Sequence, residues 1–445
     1  MTTATRAGQV LRRASFILAG LVAATSVLFW LTGMPLGLDC AVYRAGALAV
    51  LHGTPLYGAL PFLPSWATGM PYTYPPLAAL LFTPVAWLPP QLFWGALAAA
   101  SILALGTVLA AGIGSAADHW PRTAIVAAGA GSLALEPVWR GIGFGQIDAL
   151  LMAMVVLDVV VLPASPRRGV LIGLAAAVKL TPLVFVLHLF ITGRRADALR
   201  ALCTCAGLTA LSLIVLPADS IRYWSTQVLG GPLFSTNPAL SSAQVANQSL
   251  NGLLQRLSGR ASWAFPAAIL IGLALLAVIV PVLRWLTARG AHLEALLVSA
   301  GYGLLVSPVS WTHHWVWVVP LFGLVVTRGA RWLAAFCVVF TGWFQLVVPH
   351  GDNAELRWTP VQSVVGNAYV LAALVAVVLL YRQARKVPAE AMSFAAAAGL
   401  SPQAINQTRG AQHVRYLHLR RLFQPRRLRR RHRRQLGRLL GQARP

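Results

Sequence analysis

The chain predicts an all-α, polytopic integral membrane protein, and three observations carry that expectation. Of its 445 residues, 57% are hydrophobic and only 11% charged, whereas a soluble domain carries about a quarter charged residues. Apolar stretches of about twenty residues, enough to cross a bilayer as a helix, recur along most of its length. The strand alternation of a transmembrane barrel is missing, and only helices and closed barrels satisfy their own backbone in lipid. Residues 1–390 read as one membrane domain and 391–445 as a basic, disordered cytoplasmic tail.

The first span, Ser15 to Met34, follows Arg6, Arg12 and Arg13. No small-x-small cleavage site follows cleanly, so this reads as an uncleaved helix rather than a secretory signal. A lipoprotein reading of Gly37-Leu38-Asp39-Cys40 fails as well, because the leucine is one place off and an aspartate precedes the cysteine. The positive-inside rule keeps the arginines cytoplasmic and puts Asp39 on the outer face. The outward loop Pro35 to Tyr74 mixes apolar residues with Gly, Pro and aromatics, and Asp39–Leu51 within it reads as an amphipathic helix lying in the interface.

Further spans are expected near 75–89, 91–113, 123–135, 146–163, 169–192, 199–217, 263–286, 292–307, 313–327, 331–348 and 361–382. With the first they give roughly ten to thirteen crossings. Basic residues flank the 169–192 block on both sides, at Arg167-Arg168 and at Arg194-Arg195. Both ends are cytoplasmic only if the block folds back as two half-spans around Lys179-Leu180-Thr181-Pro182, which is tolerated where a protein-enclosed cavity is lined. Two more loops are long: Ala218 to Gly259, with Asn247-Gln248-Ser249-Leu250-Asn251, and His350 to Gly366, with Asp352 and Glu355. No internal repeat is evident, which argues against many transporter folds.

The net charge of +25 divides unevenly. The 391–445 segment holds thirteen arginines, no lysine and no acid. After a final span, such a run reads as a tail against anionic headgroups, at roughly 1 kcal/mol per basic residue, rather than a nucleic-acid surface. Four cysteines, Cys40, Cys203, Cys205 and Cys337, form no CxxC pair and imply neither a disulfide framework nor a zinc site.

Candidate chemistry rests on a few polar residues in this apolar background. Asp39 and Tyr43 share a helix face at i, i+4: a general base with an orienting phenol, or an interfacial carboxylate and a headgroup-belt tyrosine. Lys179 is one of only two lysines and sits inside an apolar block, where an ammonium costs at least about 2.5 kcal/mol. It reads as the counter-charge to a membrane-boundary phosphate, with snorkelling to a headgroup as the alternative. His313 and His314 are adjacent, so on a helix they diverge by about 100° and make no two-ligand metal face. They read as donors to phosphate, or as an ordinary polar cap to a span. Arg140 and Gln146 flank a glycine-rich stretch, Gly141 to Gly145. No strand precedes it and no Gly-Lys-Ser/Thr follows, so a nucleotide loop is rejected; the two side chains are candidates for sugar or phosphate contact at a helix mouth. With no GxSxG, HExxH or DxD signature, and no soluble nucleotide-binding domain, a sugar donor is expected to arrive on a lipid.

Taken together the segments resemble the polyprenol-phosphate-mannose-dependent α-1,2-mannosyltransferases of actinobacteria, glycosyltransferase family 87 within the GT-C membrane superfamily. The resemblance is carried by Asp39–Tyr57, Tyr72-Thr73-Tyr74-Pro75-Pro76-Leu77, Gly145-Gln146-Ile147-Asp148, Val178-Lys179-Leu180-Thr181-Pro182, Asn247-Gln248-Ser249-Leu250 and Val306–Trp317. The family usually has Asn where this chain has Asp148, and the tail lies outside the resemblance. It implies Asp39 as general base beside Tyr43, with Lys179, His313 and His314 near the donor phosphate and Asn247 and Gln248 among the substrate-binding residues. It also implies direct displacement with inversion on the outer face of the plasma membrane, from polyprenyl-phosphate mannose to a mannosylated lipid or glycan, with no cofactor and no metal. A phosphate leaving group needs no protonating acid, so one carboxylate suffices where a glycosidase uses two. The competing readings are a flippase or exporter of a polyprenol-linked saccharide, and a scaffold subunit of a wall-building complex.

Overall fold

The computed structural model describes residues 5–162, 165–228 and 242–386. The expected tail and part of the 218–259 loop lie outside the described residues. Among those described, every regular element is helical, and the only strand-like pairing is one antiparallel bridge between Asn247 and Trp311.

Helices α1 (Arg6–Leu31), α2 (Leu38–Leu51), α3 (Pro76–Phe82) and α4 (Pro90–Ile113) open the chain. The Thr5 hydroxyl caps α1 by accepting from Gly8 N–H, and the Asp118 carboxylate accepts from Ala7 N–H at 3.1 Å. α1 lies along α4, and the approach needs glycine: a Cβ at Gly95 would overlap Ser26, and one at Gly106 would overlap Ser15. Such small-residue seams pack helices where lipid supplies no hydrophobic drive. α2 departs from expectation. It is helical, but eight of its fourteen residues are buried. Packed by α3, α4 and the loop that follows it, it shows no open polar face of the kind an interfacial helix presents.

Next come α5 (Arg122–Leu133), α6 (Glu136–Phe144), α7 (Asp148–Val156), α8 (Val170–Val178), α9 (Val184–Ile191) and α10 (Arg195–Val215). The chain turns by 120° between α6 and the helical run Asp148–Val161. The 169–192 block is broken as its basic ends implied. α8 stops at Val178, Lys179 is extended (φ −149°, ψ 130°), and α9 follows a short turn over Thr181–Leu183. Both ends of the block then meet one place. Asp158 accepts from Gly169 N–H at 2.6 Å and Ile172 N–H at 3.1 Å. Arg194 reaches Val159 O at 3.3 Å, and Arg168 reaches Leu162 O at 3.0 Å. Lys179 therefore sits at the tip of a hairpin whose two legs are pinned together at the far end.

The remaining helices are α11 (Pro217–Arg222), α12 (Leu250–Leu257), α13 (Ala264–Ala288), α14 (His292–Val306), α15 (Val318–Val326), α16 (Ala330–Phe340), α17 (Phe344–Val347), α18 (Pro360–Gly366) and α19 (Ala368–Arg385). Among the described residues five helices, α1, α4, α10, α13 and α19, are long and apolar enough to cross a membrane, and the bent α6–α7 pair makes a sixth if counted as one broken span. Five further apolar helices have 10–17 residues. The chain is thus an all-α polytopic membrane protein with several spans too short to cross as straight helices. A continuous core from α4, α7, α8, α9 and α15 holds these pieces.

Candidate active site

The turn after α6 builds the first half of the site. Gly145 ends the helix in the left-handed region (φ +70°), and a Cβ there would lie 2.6 Å from Cys40 Cβ. Only glycine lets this turn press onto α2, and the next residue, Gln146, thereby meets Asp39. Gln146 Nε2 donates to Asp39 Oδ2 at 2.7 Å, while Gln146 Oε1 accepts from the Tyr43 hydroxyl at 2.8 Å. Asp39 and Tyr43 share a face as their spacing predicted, and one amide bridges them. The Tyr74 hydroxyl completes the group, 2.8 Å from that of Tyr43.

Asp39 lies in the first turn of α2, outside the spans. Burial pushes its carboxyl up to about 6, against the Gln146 hydrogen bond and the Lys179 charge, which pull it down, and with a smaller upward push from Asp148. A base poised near neutrality suits proton abstraction from an alcohol. Burial also holds the Tyr43 phenol well above its ordinary range, so it stays protonated and orients Gln146.

The second half sits across the Tyr74 ring, whose centroid is 5.5 Å from Lys179 Nζ. Lys179 donates to Asp148 Oδ1 at 2.7 Å and lies 3.3 Å from His314 Nε2. A nitrogen facing an ammonium presents its lone pair, so the His314 proton belongs on Nδ1. His313 packs edge-on against His314 and Phe144, with centroids 4.7 Å and 5.6 Å away. It is 5% exposed, and neither of its ring nitrogens has a hydrogen-bond partner. Buried polar atoms are normally paired, so these two nitrogens are candidates for ligand contact.

Asp148, His313 and His314 offer ligand atoms within 4.8 Å of one another. Asp148 is supplied from a distant segment. The Lys179 ammonium already faces both Asp148 and His314, however, so a metal cation there would meet a like charge at close range. The donor set fits an anion better.

Three expected residues lie apart from this cluster. Arg140 pairs with the fully buried Glu136 and donates to Gln345 Oε1 at 2.8 Å. Asn247 and Gln248 are fully buried, and their amides are engaged with backbone. Asn247 Oδ1 accepts from Ser310 N–H at 2.9 Å, and its Nδ2 reaches Ser242 O at 2.8 Å. Gln248 Nε2 reaches Val245 O and Gly366 O, each at 2.7 Å, and Oε1 accepts from Tyr369 N–H at 3.2 Å. These two amides pin the turn that carries the histidines. Glu136 does the same from beneath, accepting from Thr312 Oγ1 at 2.6 Å, Gln345 Nε2 at 3.1 Å and the Tyr369 hydroxyl at 3.0 Å. Sequence reasoning did not single out Tyr74 or the Asp148–Lys179 pair. The scarcity of acids in the chain was the signal that could have pointed to Asp148.

A cleft lined by Leu151, Met152, Val155, Phe185, Ala300 and Gly303 opens at Asp148 and His314 and runs between α7, α9 and α14. On α7 the lining residues follow Asp148 at i+3, i+4 and i+7, so one helix face passes from charged to apolar.

The family model for Glycosyltransferase family 87 matches residues 72–308. The chain belongs to glycosyltransferase family 87. This family 87 protein is 32% identical over 396 residues, 83% of its length and 89% of the relative's, to a protein of Mycobacterium tuberculosis named polyprenol-phosphate-mannose-dependent alpha-(1-2)-phosphatidylinositol mannoside mannosyltransferase. A Mycolicibacterium smegmatis protein of the same name is 32% identical, covering 78% of this chain and 84% of its own. A second M. tuberculosis relative, named for a phosphatidylinositol pentamannoside substrate, is 31% identical over 70% of this chain and 71% of its own length. No solved structure matches the chain significantly. The family 87 protein is a membrane glycosyltransferase, and nothing supports the carrier reading.

Proposed function

We propose that the chain transfers mannose from polyprenyl-phosphate mannose to a mannosylated glycolipid or lipoglycan, forming an α-1,2 linkage with inversion. The observation that carries this reading is the pairing of one carboxylate held near neutrality with a buried cation and two histidines across a tyrosine ring. Asp39 removes the acceptor hydroxyl proton as that oxygen attacks the anomeric carbon. The bond from that carbon to the phosphate oxygen breaks, and Lys179 with the histidines stabilises the departing polyprenyl phosphate. Gln146 and Tyr43 hold the base in place. The isoprenoid is placed along the apolar face of α7 that follows Asp148, because a lipid attached to that phosphate must leave through an apolar surface. The donor and acceptor in the relatives' names support the same chemistry.

Orientation is part of the proposal. α1 spans 26 residues, about 39 Å at 1.5 Å per residue, between the arginines at its start and Asp39 just beyond its end. Cytoplasmic arginines put Asp39 at the outer face of the plasma membrane. The deciding experiment incubates membranes carrying the protein with radiolabelled polyprenyl-phosphate mannose and analyses the product linkage. A labelled α-1,2 product is expected. Label that crosses the bilayer without entering a new glycosidic bond would sink the reading.

A further inference from the structure

Lys179, the cation offered to the donor phosphate, already has a carboxylate on it. Its Nζ donates to Asp148 Oδ1 at 2.7 Å, with the two side chains 11% and 12% exposed. The other carboxylate oxygen, Oδ2, is buried without a hydrogen-bond partner and lies 4.0 Å from His314 Nε2. Asp148 therefore sits on the same ammonium that a donor phosphate would contact, and the transfer chemistry makes no use of its negative charge.

We propose that Asp148 is a built-in competitor for Lys179 that keeps the phosphate product from lodging in the site. The inference rests on the donor reading above. In the transfer, the bond between the anomeric carbon and the phosphate oxygen breaks and its electron pair stays on that oxygen. The acceptor oxygen forms the new bond, and its proton goes to Asp39. The phosphate thus enters as a diester with one negative charge and leaves as a monoester with nearly two, its second pKa being about 6. With Lys179 alone, the more highly charged product would be held more tightly than the donor. A carboxylate on the same ammonium opposes both, and the opposition doubles when the charge doubles. Asp148 acts selectively against the product, which makes it a specificity residue for turnover.

The test measures inhibition of mannose transfer by polyprenyl phosphate and by its monomethyl ester, a dianion and a monoanion on the same lipid. In the wild type the two Ki values are expected within about threefold of each other. In Asp148→Asn the dianion should bind on the order of tenfold more tightly, while the ester Ki and the donor KM fall only about threefold, because doubling a charge squares the factor. A merely structural role for Asp148 would shift all three constants together. A wild type that already prefers the dianion by more than about tenfold, or a variant whose Ki ratio stays at the wild-type value, overturns the proposal. Should the variant fail to insert, the wild-type ratio decides alone. A wild type that transfers no mannose from the donor strikes the donor reading instead, and this inference falls with it.

Discussion

Two polar regions lie side by side inside this membrane domain, and they differ in how completely their hydrogen bonds are made. Around Asn247, Gln248 and Arg256 the buried side chains are engaged. Arg256 alone reaches Gln244 O at 2.7 Å, Asn247 O at 3.0 Å and the Asn367 side chain, over the ring of Trp358. Around Lys179 the accounts stay open: both His313 nitrogens and Asp148 Oδ2 have no partner. A finished network makes a frame, because breaking any of it exposes an uncompensated charge or dipole. In the cluster around Lys179 the two His313 nitrogens are left able to bond a ligand. That difference is the one the proposed function expects between residues that contact substrate and residues that hold them in place.

The comparison can be broken at either region. Asp39→Asn is the severest test: it should lower transfer on the order of a thousandfold, within the range of a lost general base, while insertion and expression stay normal. Wild-type rate in that variant would remove Asp39 as the base. Lys179→Ala should lower kcat/KM for the donor about a hundredfold, as removal of a charge stabiliser does; unchanged kinetics would mean that the lysine only snorkels. The pH profile follows with a defined sign. Asp39 works as its anion, so kcat/KM should be flat above about 6 and fall roughly tenfold per unit below it. A profile flat down to about 4.5 would contradict the burial argument. On the scaffold side, Arg256→Leu should cost about 3 kcal/mol of stability by orphaning carbonyls, read as a lower thermal midpoint, while kcat/KM per folded molecule stays within about twofold. Chelation should move the rate least of all. Activity lost with EDTA and restored by a divalent ion would turn Asp148, His313 and His314 into ligands and reverse the electrostatic reading of Lys179.

Much of this architecture was legible because lipid is a demanding solvent. Apolar runs announce helices, and a lysine amid them, with arginines at both ends of one block, announced the break at Lys179. Asp39 and Tyr43 were legible because a helix puts i and i+4 on one face. Contacts between distant segments were not. Glu136 meets Gln345 and Tyr369 across 209 and 233 residues, and nothing local to any of the three points at the others. The backbone bonds of Asn247 and Gln248 were hidden for the same reason: an amide in a polar loop looks the same whether it faces a sugar or a carbonyl. The α2 segment is mostly apolar, with only Asp39 and Arg44 charged, a mix that serves an interfacial or a covered helix alike, and only its neighbours reveal that it is covered.

The folded-back hairpin carries a mechanical consequence. Its first leg, α8, has nine residues and stands about 14 Å tall, roughly half the thickness of a bilayer's oily interior. The depth of the lysine is thus dictated by the length of its supports and by where they are moored, not by the reach of a flexible side chain. Taking one turn out of both legs would lower the charge by about 5 Å without altering a single residue that touches substrate, and the enzyme would then grip its lipid-borne sugar at the wrong height.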